Sequence, residues 1–343
     1  MMSALHTLAP IVHKAGAVFS CMALNRPYNV FQTLFIARIK LYRTTVIHQL
    51  RFIVWSIIVL FSSALNLAAQ EFQTITYYEG DSLKLEMDLF MPDQAKDEAR
   101  PLLIFVHGGG FSGGNRTAGH SLCRYLAGKG MVTATLSYTL YMRDKSFSCD
   151  GILSEKVKAI QIAVNQLWLA TGYFLGQKET YGIDTSRIFI AGSSAGAETV
   201  LHAAFWDREV MNLYEQKLPG SFRYAGLISG AGAIMDLNLI GKDSLIPVML
   251  FHGDADPVVP YATAAHHYCP PNSSGWLMLF GSKSIYEHML ALDGTVALIT
   301  HSGGKHEIAG AHFFRDHQPV GDFVEQVIAG VTFQMHIMKT VDK

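Results

Sequence analysis

The chain has 343 residues, half of them hydrophobic and 16% charged, with 30 glycines and 11 prolines. Such a composition supports a sizeable buried core and excludes a disordered or fibrous chain. A formal net charge of −1 gives nucleic-acid binding no bulk electrostatic support, and four cysteines are too few for a disulfide-dense mini-scaffold.

Taken in chain order, the first segment is a basic leader. Residues 1–70 contain Lys14, Arg26, Arg38, Lys40, Arg43 and Arg51 but no acid, so a basic leader is joined to an acidic body that begins at Glu71. Within it, 52–61 read F-I-V-W-S-I-I-V-L-F behind Arg43 and Arg51, and small residues come next, up to Ala69. A basic flank, a short apolar run and small residues together predict a secretory signal peptide, cleaved near Ala69 or Gln70, and a secreted or periplasmic protein. A retained membrane anchor is the alternative, because the uncharged stretch 52–70 approaches the roughly 20 residues needed to span a bilayer. An organellar transit peptide also fits an acid-free, basic leader. A start site placed too far upstream would account for the length of residues 1–40, and that question stays open.

The body, 71–343, reads as one domain. Residues 73–78 and 83–91 alternate apolar and polar, as half-buried strands do, with Asp81 in the turn between them. Residues 102–106 form a continuous apolar run, the signature of a strand buried on both faces. A helix is expected at 117–129, strand character at 131–138, a helix at 153–169, a short strand at 187–191 and a helix at 195–206. Further strands are expected at 224–229 and 248–251, a helix at 284–292, the last strand at 296–300 and a closing helix at 321–336. An antiparallel start followed by alternating strands and helices predicts an α/β fold with a mostly parallel central sheet covered by helices on both faces. In such sheets chemistry collects beyond the carboxyl ends of the strands.

Three strand ends carry chemistry-bearing residues. After 187–191 comes Gly192-Ser193-Ser194-Ala195-Gly196, the G-x-S-x-G pattern in its required strand–turn–helix setting. The glycines permit a sharp turn that lifts the Ser194 hydroxyl to a helix N-terminus, where backbone N–H groups favour a developing anion. Ser193 lies one residue short of the motif centre and reads as packing. After 102–106 comes His107-Gly108-Gly109-Gly110-Phe111, whose glycines can point N–H groups at an oxyanion. The same stretch spells G-x-G-x-x-G, but the acid that a dinucleotide site needs about 20 residues on is missing from the end of the next strand. After 248–251 comes H-G-D-A-D-P-V-V-P, in which Asp256 is the candidate to orient an imidazole and Asp254 is expected to cap the glycine turn. The base must come later in the chain, and His306 in Gly303-Gly304-Lys305-His306-Glu307-Ile308 stands just past the last expected strand. His301, His312 and His317 read as surface or satisfied core groups. A zinc-protease reading fails because His306 and His312 are not spaced as H-E-x-x-H, and no cysteine pair has zinc spacing.

H-G-G-G-F, G-S-S-A-G-A, H-G-D-A-D-P-V-V-P and G-G-K-H-E-I, in this order from about Gln73 to the C-terminus, resemble the α/β-hydrolase fold esterases. The likeness is to bacterial secreted carboxylesterases of the feruloyl/acetyl-esterase-like group, with H-G-G-G shared by the hormone-sensitive-lipase-like group. The latter usually has Asp where this chain has Ser193, and its helical cap is hard to see here. The resemblance implies Ser194 as nucleophile, His306 as base, Asp256 as orienting acid, and the N–H groups of Gly109, Gly110 and Ala195 as oxyanion hole. It implies no cofactor or metal, and a small-molecule or carbohydrate ester as substrate. A membrane is a partner only if the leader is retained as an anchor, and nucleic acid is not one. A prolyl-oligopeptidase-like peptidase shares the residue order but normally adds a propeller domain, which the leader is too short to supply. A catalytically dead hydrolase fold acting as a binding module is the rival from another class. Cys149 and Cys269 lie in loops beyond strand ends, and in an oxidising compartment are candidates for a bridge between those loops. Cys123 is expected buried and free. Tyr138, Tyr141, Phe111 and Trp206 either line an aromatic-friendly pocket or pack ordinarily. The acyl and alcohol groups and the oligomeric state are not specified.

Overall fold

The computed structural model describes residues 72–80, 82–93 and 98–340, together with Val54 and Trp55. The chain divides into two units, Met1–Ala69 and Gln70–Lys343, and the strands and helices named below belong to the second. The expectations on the leader's cleavage site and anchoring, and the turn at Asp81, lie outside the described residues. Among the described residues no helix is long and apolar enough to cross a membrane.

A nine-stranded sheet runs through the second unit. Its strands in chain order are β1 (Gln73–Gly80), β2 (Leu83–Phe90), β3 (Arg100–Val106), β4 (Val132–Leu136), β5 (Ile183–Ser193), β6 (Gly226–Gly230), β8 (Val248–Gly253), β11 (Val296–Ser302) and β12 (Gln334–Thr340). Their spatial order is β1-β2-β4-β3-β5-β6-β8-β11-β12. The β1–β2 hairpin is antiparallel with Gln73 opposite Leu89, and β2 also meets β4 antiparallel, Met87 opposite Leu136. From β4 onward every neighbouring pair in this sheet is parallel.

Successive side chains of a strand point to opposite faces, and the two cores obey that alternation. Leu102, Ile104 and Val106 of β3 join Ile188, Ile190, Leu250 and Leu298 on one face. That face is covered by α2 (Leu153–Gly176), α3 (Ala195–Phe205) and α4 (Ser282–Ala291), through residues such as Ile160, Val164, Leu201 and Ile285. Leu103, Phe105, Phe189 and Phe251 point the other way, onto α1 (His120–Gly128) and α5 (Gln318–Ile328) through Leu122, Leu126, Val320 and Phe323. Burial on both faces is why these strands read as unbroken apolar runs.

Three expectations are corrected. The closing helix is α5 alone. It ends at Ile328, and after Gly330 (φ +71°) the chain becomes β12, which adds to β11 in parallel, Val296 opposite Gln334. The strand at 296–300 is therefore not the last. Gln334–His336 are exposed on this edge strand, so no period-2 burial pattern marked them. Second, α2 continues past Leu169 to Gly176, where Thr171 Oγ1 donates to Leu167 O and a Cβ added to Gly172 would meet nothing closer than Leu218 at 3.7 Å. Third, a separate three-stranded sheet, β7 (Ala233–Ile234), β9 (Thr263–Ala265) and β10 (Met278–Gly281) in the order β7-β10-β9, went unread because its strands are only two to four residues long. The remaining elements stand within a few residues of expectation, except that the first turn of the helix expected at 117–129 is a 3₁₀ turn, Arg116–Gly119. Asn115 caps it, its Oδ1 accepting from Thr117 N at 3.0 Å.

Candidate active site

Ser194 stands between β5 and α3 with φ +54° and ψ −121°. A non-glycine residue reaches that region only at a cost of roughly 1–3 kcal/mol, and the surroundings must hold it there. Here Ser194 N donates to Gly230 O at 2.8 Å, and Glu198 N donates back to Ser194 O at 3.0 Å. The flanking glycines are required by close approach. A Cβ on Gly192 would meet Gly196 O at 2.2 Å, and one on Gly196 would meet Val106 O at 2.1 Å. Ser193 is buried at the end of β5 and also lines the cavity that holds Ser194.

The turn brings Ser194 Oγ to 2.8 Å from His306 Nε2. The other ring nitrogen, Nδ1, lies 2.7 Å from Asp256 Oδ2. One tautomer satisfies both contacts: Nδ1–H donates to the carboxylate, and Nε2 accepts from the serine hydroxyl. Asp256 is buried, and its Oδ1 accepts from the N–H groups of Val258 at 2.7 Å and Val259 at 3.1 Å. Burial raises its pKa, but hydrogen bonds from His252 and His306 outweigh burial and hold it well below the usual carboxylate range. His252 opens the H-G-D-A-D-P motif, where the sequence marked it with no role of its own. Its Nε2 lies 3.2 Å from Asp256 Oδ2, and its Nδ1 is fixed by Ser282 Oγ at 2.9 Å, which makes it a support for the acid.

The acid and histidine loops are laced together. Asp254 Oδ1 accepts from Gly303 N at 2.6 Å, and Ala255 N donates to Gly304 O at 3.0 Å. Asp254 therefore caps a glycine turn as expected, but the turn belongs to the histidine loop and not to its own.

Gly109 and Gly110 have φ of +116° and +59°. The Gly109 carbonyl turns back to accept from Ser112 N and Gly113 N at 3.1 and 3.0 Å. Among the described residues neither the Gly109 nor the Gly110 N–H makes a hydrogen bond. Both residues, Ala195, Ser194 and His306 line one cavity of about 580 Å³.

The same cavity is lined by residues that sequence reasoning missed: Glu198, His266, His267, Phe147 and Phe314. Glu198 and His266 are 1% and 2% exposed, and Glu198 Oε1 lies 3.4 Å from His266 Nε2. Burial pushes the Glu198 carboxyl up to about 8, with Asp256 reinforcing and Lys156 opposing. Burial first, then the charges of His267, Lys156 and His306, hold His266 well below its ordinary value. The available signal was Glu198, four residues after the nucleophile and on its side of the helix. No local sign pointed to His266.

The four aromatic residues weighed as pocket lining are packing. Tyr138 stacks on His107 with centroids 4.4 Å apart and donates to His107 O, Phe111 is fully buried, Tyr141 bonds to Glu155, and Trp206 caps the C-terminal end of α3. His301 and His312 are buried with their Nε2 atoms 3.3 Å apart, and His317 lies against the Tyr125 ring. Cys149 and Cys269 form a disulfide. Cys123 is buried and free, and burial pushes its thiol up to about 12.

Residues 87–244 match the BD-FAE family model. Among solved structures the chain is similar to esterase 2 of Thermogutta terrifontis. For the form phosphorylated by paraoxon the TM-score is 0.55 at 17% identity, covering 77% of this chain and 96% of that one. The propionate-bound form gives 0.55 at 16% identity over 78% and 96%, and the apo form 0.55 at 18% over 77% and 97%. These likenesses show the α/β-hydrolase fold.

Proposed function

We propose that the chain is a serine carboxylesterase acting through Ser194, His306 and Asp256, with residues 71–343 as its catalytic domain. The observation that carries the reading is the continuous path Ser194 Oγ–His306–Asp256, with contacts of 2.8 and 2.7 Å, opening into one cavity. His306 Nε2 takes the Ser194 proton as Oγ attacks the ester carbonyl carbon. The negative charge that develops on the carbonyl oxygen is met by the N–H groups of Gly109, Gly110 and Ala195. By analogy each such donor contributes about 3–4 kcal/mol to the transition state. Asp256 keeps the imidazole in its Nδ1–H tautomer and stabilises the imidazolium. The tetrahedral intermediate collapses, the alcohol leaves with the proton from His306, and an acyl-Ser194 remains. Water then gives a proton to His306 and attacks the acyl carbon, releasing the acid and restoring the serine. No step calls for a cofactor.

Short acyl esters and feruloyl or acetyl esters of carbohydrates are the substrate classes that the resemblance favours. The leader pattern and the Cys149–Cys269 bridge both fit export to an oxidising compartment. A count of free thiols in unfolded, unreduced protein from cells tests both. One thiol means bridged and leader removed; two mean bridged with Cys21 retained; three or more overturn the bridge.

The primary test is hydrolysis of p-nitrophenyl acetate by the wild type beside Ser194→Ala. Turnover that falls by about 10⁴ or more in the variant is expected. No turnover by folded wild type overturns the esterase reading, and turnover that survives in Ser194→Ala overturns the nucleophile.

A further inference from the structure

We propose that Glu198 and His266 form a hydroxyl-recognition subsite beside Ser194, so that the preferred ester carries a hydroxyl group held there during the reaction. The inference rests on the esterase reading and adds a specificity element to it. Both side chains line the cavity that holds Ser194 and His306. Both are almost wholly buried, yet Glu198 Oε1 and His266 Nδ1 have no hydrogen-bond partner among the described residues. The 3.4 Å approach of Glu198 Oε1 to His266 Nε2 brings the two groups together without forming a hydrogen bond. A buried polar atom left unpaired costs on the order of 1–3 kcal/mol, and a ligand that pairs with it recovers that cost. Three such groups, these two and the buried, unpaired Nδ1 of His267, line the same cavity as the nucleophile and make a prepared polar wall.

The wall is held in place from behind. Glu198 N donates to Ser194 O, which sets its side chain one helical turn from the nucleophile, on the order of 6 Å away. His202 Nδ1 lies 2.7 Å from Glu198 O, and Met235 N donates to His202 Nε2, so His202 carries its proton on Nδ1 and braces this turn of α3. His266 N donates to Leu277 O at 2.8 Å, and its ring stands edge-on to Phe147 at 5.2 Å. Three residues on, Cys269 is tied to Cys149. Both side chains are buried, and Glu198 Oε1 and His266 Nδ1 have no other polar partner among the described residues.

The chemistry selects the ligand. A hydroxyl both donates and accepts, as a protonated carboxyl and a neutral imidazole do. Burial favours those neutral forms of Glu198 and His266 near neutrality. A fixed anion or cation on the substrate would instead face an uncompensated desolvation cost there. A substrate hydroxyl can come from the alcohol portion, as in a sugar ester, or from a hydroxylated acyl chain.

Two matched pairs separate these sources. One is methyl mono-O-acetyl-β-xylopyranoside against cyclohexyl acetate; the other is p-nitrophenyl 3-hydroxybutyrate against p-nitrophenyl butyrate. The wild type is expected to favour the hydroxylated member of one pair by about tenfold or more in kcat/KM, the scale of a hydrogen bond in a buried site. Glu198→Leu and His266→Phe should lower that ratio about tenfold, with Glu198→Gln retaining part of it. If either apolar variant loses its cooperative melt, Glu198→Gln and His266→Asn decide, and a shift in ratio of at least threefold is required. Ratios within twofold for both pairs in the wild type, or a preference unchanged in the variants, overturn the subsite while p-nitrophenyl acetate turnover leaves the esterase reading standing. Absence of that turnover overturns the esterase reading, and the subsite with it.

Discussion

Asp256 accepts four hydrogen-bond contacts: two backbone N–H groups on Oδ1, and His306 and His252 on Oδ2. An amide of the same shape keeps the backbone contacts only with its oxygen toward Val258 N and Val259 N, which turns a competing N–H donor toward His306. Asp256→Asn should therefore lower kcat by about 10³–10⁴ with KM little changed, because the imidazole loses its tautomer and its counter-charge and not its place. Steady-state kinetics on p-nitrophenyl acetate checks this, and a variant with undiminished kcat would remove Asp256 from the role assigned to it. His252 braces the carboxylate from inside the core, between Ser282 and Asp256. Its function was invisible in the sequence because its partner Ser282 belongs to α4, thirty residues away.

At the scale of elements, the Cys149–Cys269 bridge joins the loop before α2 to the residue that follows the 3₁₀ turn His266–Tyr268, a separation of 120 residues. Closing so long a loop restricts the unfolded chain, and removing the bridge should cost about 2–5 kcal/mol. The same bridge carries the Phe147 and His266 wall of the cavity. Cys149→Ser should accordingly lower Tm in a thermal melt and also reduce kcat/KM; a loss of stability with unaltered kinetics would confine the bridge to a structural role. A second tie holds the antiparallel start of the sheet. Buried Asp88 of β2 accepts from Thr74 of β1, from Arg116 and from His120 of α1. It explains why a hairpin with one solvent-facing side still docks firmly on the parallel strands.

Across the whole molecule, buried titratable groups set the dependence of stability on pH. Burial holds His202 and His312 down to about 4, against an ordinary value of 6.5. Their stabilising neutrality is complete above 6.5 and is lost as pH falls from there toward 4. Glu198 runs the other way. Its folded value of about 8 exceeds the ordinary 4.5, so stability is lost as pH rises between the two. Each group changes the unfolding free energy by about 1.4 kcal/mol per pH unit inside its window. Below 6.5 His202 and His312, with His266 held down in the same direction, outweigh one glutamate, and between 6.5 and 8 Glu198 acts against stability. Urea unfolding is expected to show a maximum near pH 6.5, and Glu198→Gln should flatten the decline toward pH 8. A decline that persists in Glu198→Gln would show that another group titrates there.

The parallel core and the candidate reacting residues were legible in the amino-acid order. Runs such as Leu102–Val106 are buried on both faces and announce themselves without any partner, and each site residue sits in a motif whose backbone demands are local. Ser194 needs Gly192 and Gly196 within a few residues, and the strand order then brings His306 and Asp256 to the same sheet edge. Packing alone revealed β12, whose exposed residues carry no burial period, and the three-stranded sheet, whose strands are too short to have one. The pairing of Glu198 with His266 belongs to the same class. Those two residues lie 68 positions apart on elements with no shared pattern, and what makes them a proposed subsite is that Glu198 Oε1 and His266 Nδ1 have no hydrogen-bond partner among the described residues, a property that exists only once the chain has packed around them.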